Sequence, residues 1–189
     1  MELVSKALIF ATKAHDNMRR KNSPIPYIIH PLEAASIVAS VTADQEIISA
    51  SLLHDVVEDA GISIEEVEKE FGPRVAQLVA AETENKREEI DPKLSWQIRK
   101  EEAIDALRQS NDIAAKILYL GDKLSNLRAI YIDKQREGDK VWQKFNQKDP
   151  MKHYWYYRTI ADLIVELKDT LAWKELDQLI SVVFNEEGE

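Results

Sequence analysis

Residues 51–60 read Ser-Leu-Leu-His-Asp-Val-Val-Glu-Asp-Ala, with an imidazole and three carboxylates packed between His54 and Asp59. On a continuous helix, at 100° per residue, His54, Glu58, Asp55 and Asp59 fall at about 0°, 40°, 100° and 140°. They then share less than half of the helix surface. Carboxylates held this close repel one another unless a cation or protons neutralise them. Leu52, Leu53, Val56 and Val57 occupy the remaining surface, so the segment reads as a buried helix carrying a charged cluster. Such a cluster is costly to bury without a partner, and a metal ion is the simplest partner.

Two other stretches supply matching ligands. His30 precedes Pro31, which suits the first turn of a helix, so His30 is expected just outside the N-terminus of a helix over 31–41. Asp122 and Asn126 are polar exceptions in the long apolar pattern of 112–136. His30, His54, Asp55 and Asp122 together offer two nitrogen and two oxygen ligands. With no cysteine in the chain, a hard or borderline divalent ion fits: Mn²⁺, Fe²⁺, Mg²⁺ or Zn²⁺. Four protein ligands leave an octahedral ion one or two open positions for water, which such an ion can turn into a nucleophile near neutral pH. Glu58 and Asp59, one turn along, are placed to orient or deprotonate that water. The H-E-x-x-H zinc motif and the helical E-x-x-H di-iron pattern are both absent. Arg19-Arg20-Lys21 is the densest basic run in an otherwise acidic chain. It is either a solvated loop or a clamp for phosphate and base, since guanidinium groups bind phosphate in a fork and stack on rings.

The elements that must position these groups are helical. Leu3, Ala7, Phe10 and Ala14 recur at helical spacing over residues 2–18, with His15 as a helix-terminal residue. Pro24 and Pro26 exclude a continuous helix over 19–29. Asp44 is a plausible cap for a helix over about 45–59, Gly61 ends it, and Ser63-Ile-Glu-Glu66 has capping-box spacing. Gly72-Pro73 separates two further helices, and residues 84–93 read as a loop whose Lys86 and Arg87 are solvated or line a pocket rim. Helices over about 94–110 and 112–136 follow. The second is apolar on two faces, so it belongs at the centre of the fold. Trp142, Phe145 and His153-Tyr-Trp-Tyr-Tyr157 read as core, with Tyr156 or Arg158 as possible cavity-lining residues. Two more helical repeats, Ile160 to Leu171 and Trp173 to Val183, complete the chain.

With 189 residues, 44% hydrophobic and only 5 Gly and 6 Pro, the chain suits one all-α domain with a sizeable core. A net charge of −9 argues against nonspecific binding to nucleic acid or anionic membrane, though an anionic small ligand needs only a local basic pocket. No signal peptide or membrane span is apparent, so cytoplasm is the expected compartment. A homo-oligomer is compatible with these features.

A longer pattern carries a family resemblance. Ala14-His15, Arg20-Lys21, Pro26-Tyr27-Ile28, His30-Pro31, Leu52 to Asp59 and Asp122 to Arg128 occur in order over about residues 3–135. Together they resemble the hydrolase domain of RelA/SpoT-type alarmone enzymes, and especially the small alarmone hydrolases, within the HD-domain phosphohydrolases. The resemblance implies a single compact HD-domain helical bundle over 1–189, with a loosely similar aromatic helical extension over 139–187. It implies Mn²⁺ on His30, His54, Asp55 and Asp122, with Glu58 and Asp59 serving the water. It also implies Arg20 against guanine, Lys21 on the nucleotide and Asn126 near the ribose. The implied reaction is removal of pyrophosphate from the 3′ position of ppGpp and pppGpp. The alternatives are another phosphorylated nucleotide, such as NADPH at its 2′-phosphate, and a silent nucleotide-binding module. The chain departs from the family pattern at Asn17-Met18 (usually Gly-Gln), Ala60 (usually Thr) and Gly121 (usually Ala).

Overall fold

The computed structural model describes residues 1–21, 23–87 and 89–184. The end of the expected extension, 185–187, lies outside these. The helices are α1 (Leu3–Ala14), α2 (Ile29–Ala39), α3 (Gln45–Leu53), α4 (Val56–Ala60), α5 (Ile64–Phe71), α6 (Pro73–Glu82), α7 (Pro92–Gln109), α8 (Ile113–Glu137), α9 (Pro150–Leu163) and α10 (Leu171–Phe184). Among the described residues there is no strand, only an isolated bridge between Arg19 and Pro26. The all-α expectation holds. No described helix is long and apolar enough to cross a membrane.

Helix α8 is the axis of the bundle. It packs against α2, α3, α6 and α10, and its Leu118, Leu120, Leu124 and Leu127 are fully buried. It meets α2 tightly at Gly121. A Cβ there would lie 2.6 Å from Val38 Cγ2 and 2.9 Å from the Ala34 carbonyl oxygen. The absence of a side chain lets the two backbones meet one residue before Asp122. The aromatic tail folds back into the same core: Trp142, Tyr156, Tyr157 and Ile160 are buried, and α10 covers α8.

Local punctuation follows the sequence. Asp44 caps α3 by accepting from Glu46 N–H, and Ser63 caps α5 by accepting from Glu66 N–H. Gly61 ends α4 at φ 69°, a left-handed conformation that glycine adopts without Cβ strain. Asn17 takes φ 61°, so the residue standing in place of the usual glycine keeps a conformation that asparagine tolerates better than most.

Three expectations need correction. The first helix stops at Ala14 rather than near 18. His30 lies inside the first turn of α2, not outside it, because the helix begins at Ile29. The helix over 45–59 is broken at His54-Asp55 into α3 and α4. The break has a local cause. His54 Nδ1 donates to Ser51 O at 2.7 Å, the carbonyl that Asp55 N–H would use in an uninterrupted helix.

Candidate metal centre and nucleotide pocket

The break in the helix brings His54 and Asp55 to a common point despite being neighbours in sequence. His54 Nε2 lies 3.0 Å from Asp55 Oδ2, 3.2 Å from His30 Nε2 and 3.6 Å from Asp122 Oδ1. His30 Nε2 lies 3.1 Å from Asp122 Oδ1 and 3.5 Å from Asp55 Oδ2. Adjacent ligands on a divalent ion with bonds of about 2.1 Å stand ~3 Å apart, so these separations suit one ion.

The protonation pattern reinforces the fit. His54 spends its Nδ1 proton on Ser51 O. Ser125 Oγ donates to Glu33 Oε2 at 2.8 Å, leaving its lone pair to accept from His30 Nδ1 at 2.9 Å. With both rings neutral, their Nε2 atoms would face the carboxylates unprotonated, the tautomer a metal requires. Electrostatics express the same demand for positive charge. Burial pushes His54 down, but the Asp55 and Asp122 carboxylates outweigh it and hold the ring well above its ordinary range. Burial keeps His30 below its ordinary value. Burial also works against ionised Asp55 and Asp122, yet His54 and Lys123 respectively hold them below the usual carboxylate range.

The ligands are fixed from behind. Tyr27 donates to Asp55 Oδ2 at 2.7 Å. Asn126 Nδ2 donates to Asp122 Oδ1, and the Lys123 ammonium pairs with Asp122 Oδ2. Arg20 in turn donates to Asn126 Oδ1 at 2.9 Å, and its guanidinium lies 5.7 Å from the Tyr27 ring centre. An unbroken line thus runs from the basic loop through Asn126 to Asp122.

Arg20, Lys21, His30 and Asn126 line a cavity of about 500 Å³, whose walls also carry Lys100, Lys123, Arg128 and Arg136. Lys21 reaches Asn146 Oδ1 at 3.1 Å. Glu58 and Asp59 are not on this wall. Glu58 borders a second cavity of about 390 Å³, formed with the loop after α6. That loop grips both acids: Glu84 N–H donates to Glu58 Oε1 at 2.6 Å, and Lys86 donates to Glu58 O and Asp59 Oδ1. Burial, then the charges of Glu84, Asp55 and Asp59, push Glu58 up to about 7 despite the Glu84 N–H bond.

Several neighbours escaped the sequence reading. Tyr27 sits three residues before His30, and Lys123 and Ser125 lie inside the Asp122–Arg128 run, but nothing in their types announced the bonds they make. Glu33 and Lys100 come from stretches with no signal at all. Glu82 is buried with both carboxylate oxygens unpartnered. Lys86 and Arg87 both line the second cavity, Lys86 bonded to Glu58 and Asp59 and Arg87 paired with Glu102, whereas Arg158 pairs with Asp162 and Asp177 and does not line the large cavity.

Comparison with known proteins agrees with this geometry. The family model for the HD domain matches residues 7–152. A guanosine-3′,5′-bis(diphosphate) 3′-pyrophosphohydrolase of Aquifex aeolicus (strain VF5) is 33% identical over 140 residues, covering 74% of this chain and 19% of the relative. A probable enzyme of the same name from Synechocystis sp. (strain ATCC 27184 / PCC 6803 / Kazusa) is 35% identical over 137 residues, 71% of this chain and 18% of its own. The chain thus spans about a fifth of the length of these curated relatives. Among solved structures, a metazoan ortholog of SpoT that hydrolyses ppGpp superposes with a TM-score of 0.75 at 28% identity, covering 96% of each chain. Listeria monocytogenes EGD-e lmo0812 superposes with a TM-score of 0.72 at 30% identity, covering 83% of this chain and 99% of that one. Fold and sequence agree that this chain belongs to the HD-domain family.

Proposed function

We propose that the protein is a metal-dependent phosphohydrolase that removes the 3′-diphosphate of ppGpp and pppGpp as pyrophosphate. The observation that carries this reading is the line Arg20–Asn126–Asp122, which joins a basic, partly aromatic cavity to the candidate metal centre. The named relatives and the ppGpp-hydrolysing structural neighbour support the substrate.

In this reading His30, His54 and Asp122, whose ligand atoms lie within 4.8 Å of one another, hold Mn²⁺ together with Asp55, whose Oδ2 lies 3.0 Å from His54 Nε2, a mixed nitrogen and oxygen donor set lacking sulfur. A divalent ion bound there supplies charge neutralisation for phosphate and acidifies water. Arg20 and Lys21 bind the nucleotide, with Arg20 against the base, and Asn126 faces the ribose. Water oxygen bonds to the phosphorus attached to O3′, and the P–O3′ bond breaks. Glu58 accepts the proton released by water, Asp59 orients that water, and O3′ gains a proton as pyrophosphate departs. A group titrating at about 7 suits this exchange near neutral pH.

The test is product release by purified protein with Mn²⁺, beside Asp55→Ala and a panel of ppGpp, NADPH and GTP. Pyrophosphate from ppGpp, lost in the variant, is the expected result. Orthophosphate from NADPH with ppGpp intact would move the function to cofactor turnover. Tight nucleotide binding without any product would make the protein a silent binding module.

A further inference from the structure

A neutral imidazole carries one proton, and the partner of one ring nitrogen decides which nitrogen keeps it. The partner of His30 Nδ1 is the Ser125 hydroxyl at 2.9 Å, a group able to accept from the ring or to donate to it. When it accepts, His30 Nε2 is left bare. When it donates, the proton moves to Nε2, where Asp122 Oδ1 at 3.1 Å stands ready to accept it, and the ring can no longer hold an ion. Ser125 alone does not choose between these states.

Glu33 supplies the choice. An ionised carboxylate only accepts, and its Oε2 lies 2.8 Å from Ser125 Oγ, so the hydroxyl proton is taken and only lone pairs face the ring. The placement follows from helical spacing. His30 and Glu33 share one face of α2, Ser125 and Arg128 share one face of α8, and the two faces meet. Glu33 also has a competitor for its oxygens. Arg128 Nη1 lies 3.2 Å from Glu33 Oε1, and an uncommitted guanidinium would take both oxygens in a fork. That fork is already spent on α10, where Arg128 Nε and Nη2 bond the two oxygens of Glu175, each at 2.6 Å. Glu33 and Arg128 line the large cavity; Glu175 does not.

We propose that Glu33 is a positioning residue that fixes the His30 tautomer through Ser125, and that Glu175 keeps Glu33 available by occupying the Arg128 fork. The inference rests on the metal centre of the reading above, but not on the identity of the nucleotide. The side chains of Glu33, Arg128 and Glu175 are 36%, 33% and 40% exposed, so their ion pairs add little to stability. Their effect is directional: they decide which way one hydroxyl points. The last helix thereby acts on a metal ligand carried by α2.

The test uses the full chain with ¹⁵N-labelled histidine rings, read metal-free by NMR, and a separate calorimetric titration with Mn²⁺. The His30 signal is identified by its loss in His30→Gln. The variants are Glu33→Ala, Glu33→Gln, which keeps a carbonyl oxygen for Ser125, and Glu175→Ala. Wild type is expected to carry the His30 proton on Nδ1. Glu33→Ala is expected to move it to Nε2 in about half of the molecules or more and to weaken Mn²⁺ about tenfold, the scale of losing such a partner. Glu33→Gln should stay within about threefold of wild type, and Glu175→Ala should shift ring and affinity in the same direction by a smaller factor, about threefold. An unmoved His30 proton in Glu33→Ala, or an equal loss in Glu33→Gln, would overturn the proposal. A Glu175→Ala protein like wild type in both readouts would overturn the role of α10. Should Glu33→Ala fold poorly, Glu175→Ala, remote from the centre, carries the same test. If ppGpp stays intact while ring and affinity respond, the alarmone reading fails and the inference stands. If ppGpp is cleaved while the ring does not respond, the inference fails alone.

Discussion

His30 and His54 present their Nε2 atoms to each other at 3.2 Å, with each ring's other nitrogen already committed to an oxygen. Without a cation, the Asp55 and Asp122 carboxylates favour a proton on the His54 ring, and a bound cation would take its place. The arrangement is held together by the fold around it and relieved by a cation.

The first prediction concerns Ser125, which locks the His30 tautomer while donating to Glu33. Ser125→Ala removes the acceptor for His30 Nδ1 without touching a ligand. Divalent-ion affinity is expected to fall about 10–100-fold, the usual effect of losing such a partner. Titration with Mn²⁺, followed by the rise in thermal midpoint, measures it. An unchanged affinity would show that packing alone orients the ring.

Glu58 sets a pH dependence. In its proposed role of accepting a proton from water Glu58 must be ionised, so the rate should rise with pH through about 7, where burial and neighbouring charge place it. In Glu58→Gln the rate should drop by about 10²–10⁴ and lose this limb. A pH–rate profile of kcat/KM at saturating metal checks both. A variant that keeps the limb would assign it elsewhere.

Glu82 predicts a stability effect, best read with chelator present. Burial raises its folded-state pKa to about 8, well above the value of an exposed glutamate. Between those values the folded chain holds a proton that the unfolded chain has released, so stability falls as pH rises through that window. Glu82→Gln should remove this slope and gain on the order of a few kcal/mol at pH 8 relative to pH 4.5, at 1.36 kcal/mol per unit before any screening or relaxation. Urea midpoints at the two pH values provide the comparison, and parallel curves would contradict it.

Gly121 tests the helix contact behind Asp122. Alanine, the residue common in the family at this position, would set its Cβ against Val38 Cγ2 and the Ala34 carbonyl. Gly121→Ala should cost about 1–3 kcal/mol through overpacking, despite the better helix propensity of alanine. It should also weaken metal binding, because relief requires α8 to move away from α2 and carry Asp122 from His30. Thermal denaturation and Mn²⁺ titration read the two effects separately.

What the sequence made legible was local. Asp44, Ser63, Gly61 and Gly72-Pro73 act through their own few residues, and helix α8 declares itself by a long unbroken pattern. Asp122 was recognisable because a carboxylate is costly among Leu118, Leu120 and Leu124. The helix break at His54-Asp55 was hidden because it depends on an imidazole competing for one carbonyl, which no periodicity records. Tyr27, Ser125 and Lys123 were hidden for a related reason. Their importance comes from partners 28 residues away for Tyr27, 95 for Ser125, and from the α7 and α9 walls for Lys123. The placement of Glu58 in a different cavity from Arg20 was equally invisible, since it follows from how the loop after α6 folds over α4.

The line Arg20–Asn126–Asp122 has a thermodynamic consequence. Anything that draws Arg20 onto a nucleotide alters the partner of Asn126, and Asn126 also donates to a ligand of the candidate metal centre. Under the proposed function, metal and nucleotide affinities are therefore coupled, and the coupling must be reciprocal: whatever factor the ion contributes to nucleotide binding, the nucleotide returns to the ion. The concentration at which a divalent ion half-saturates the protein would then be a function of how much nucleotide is present.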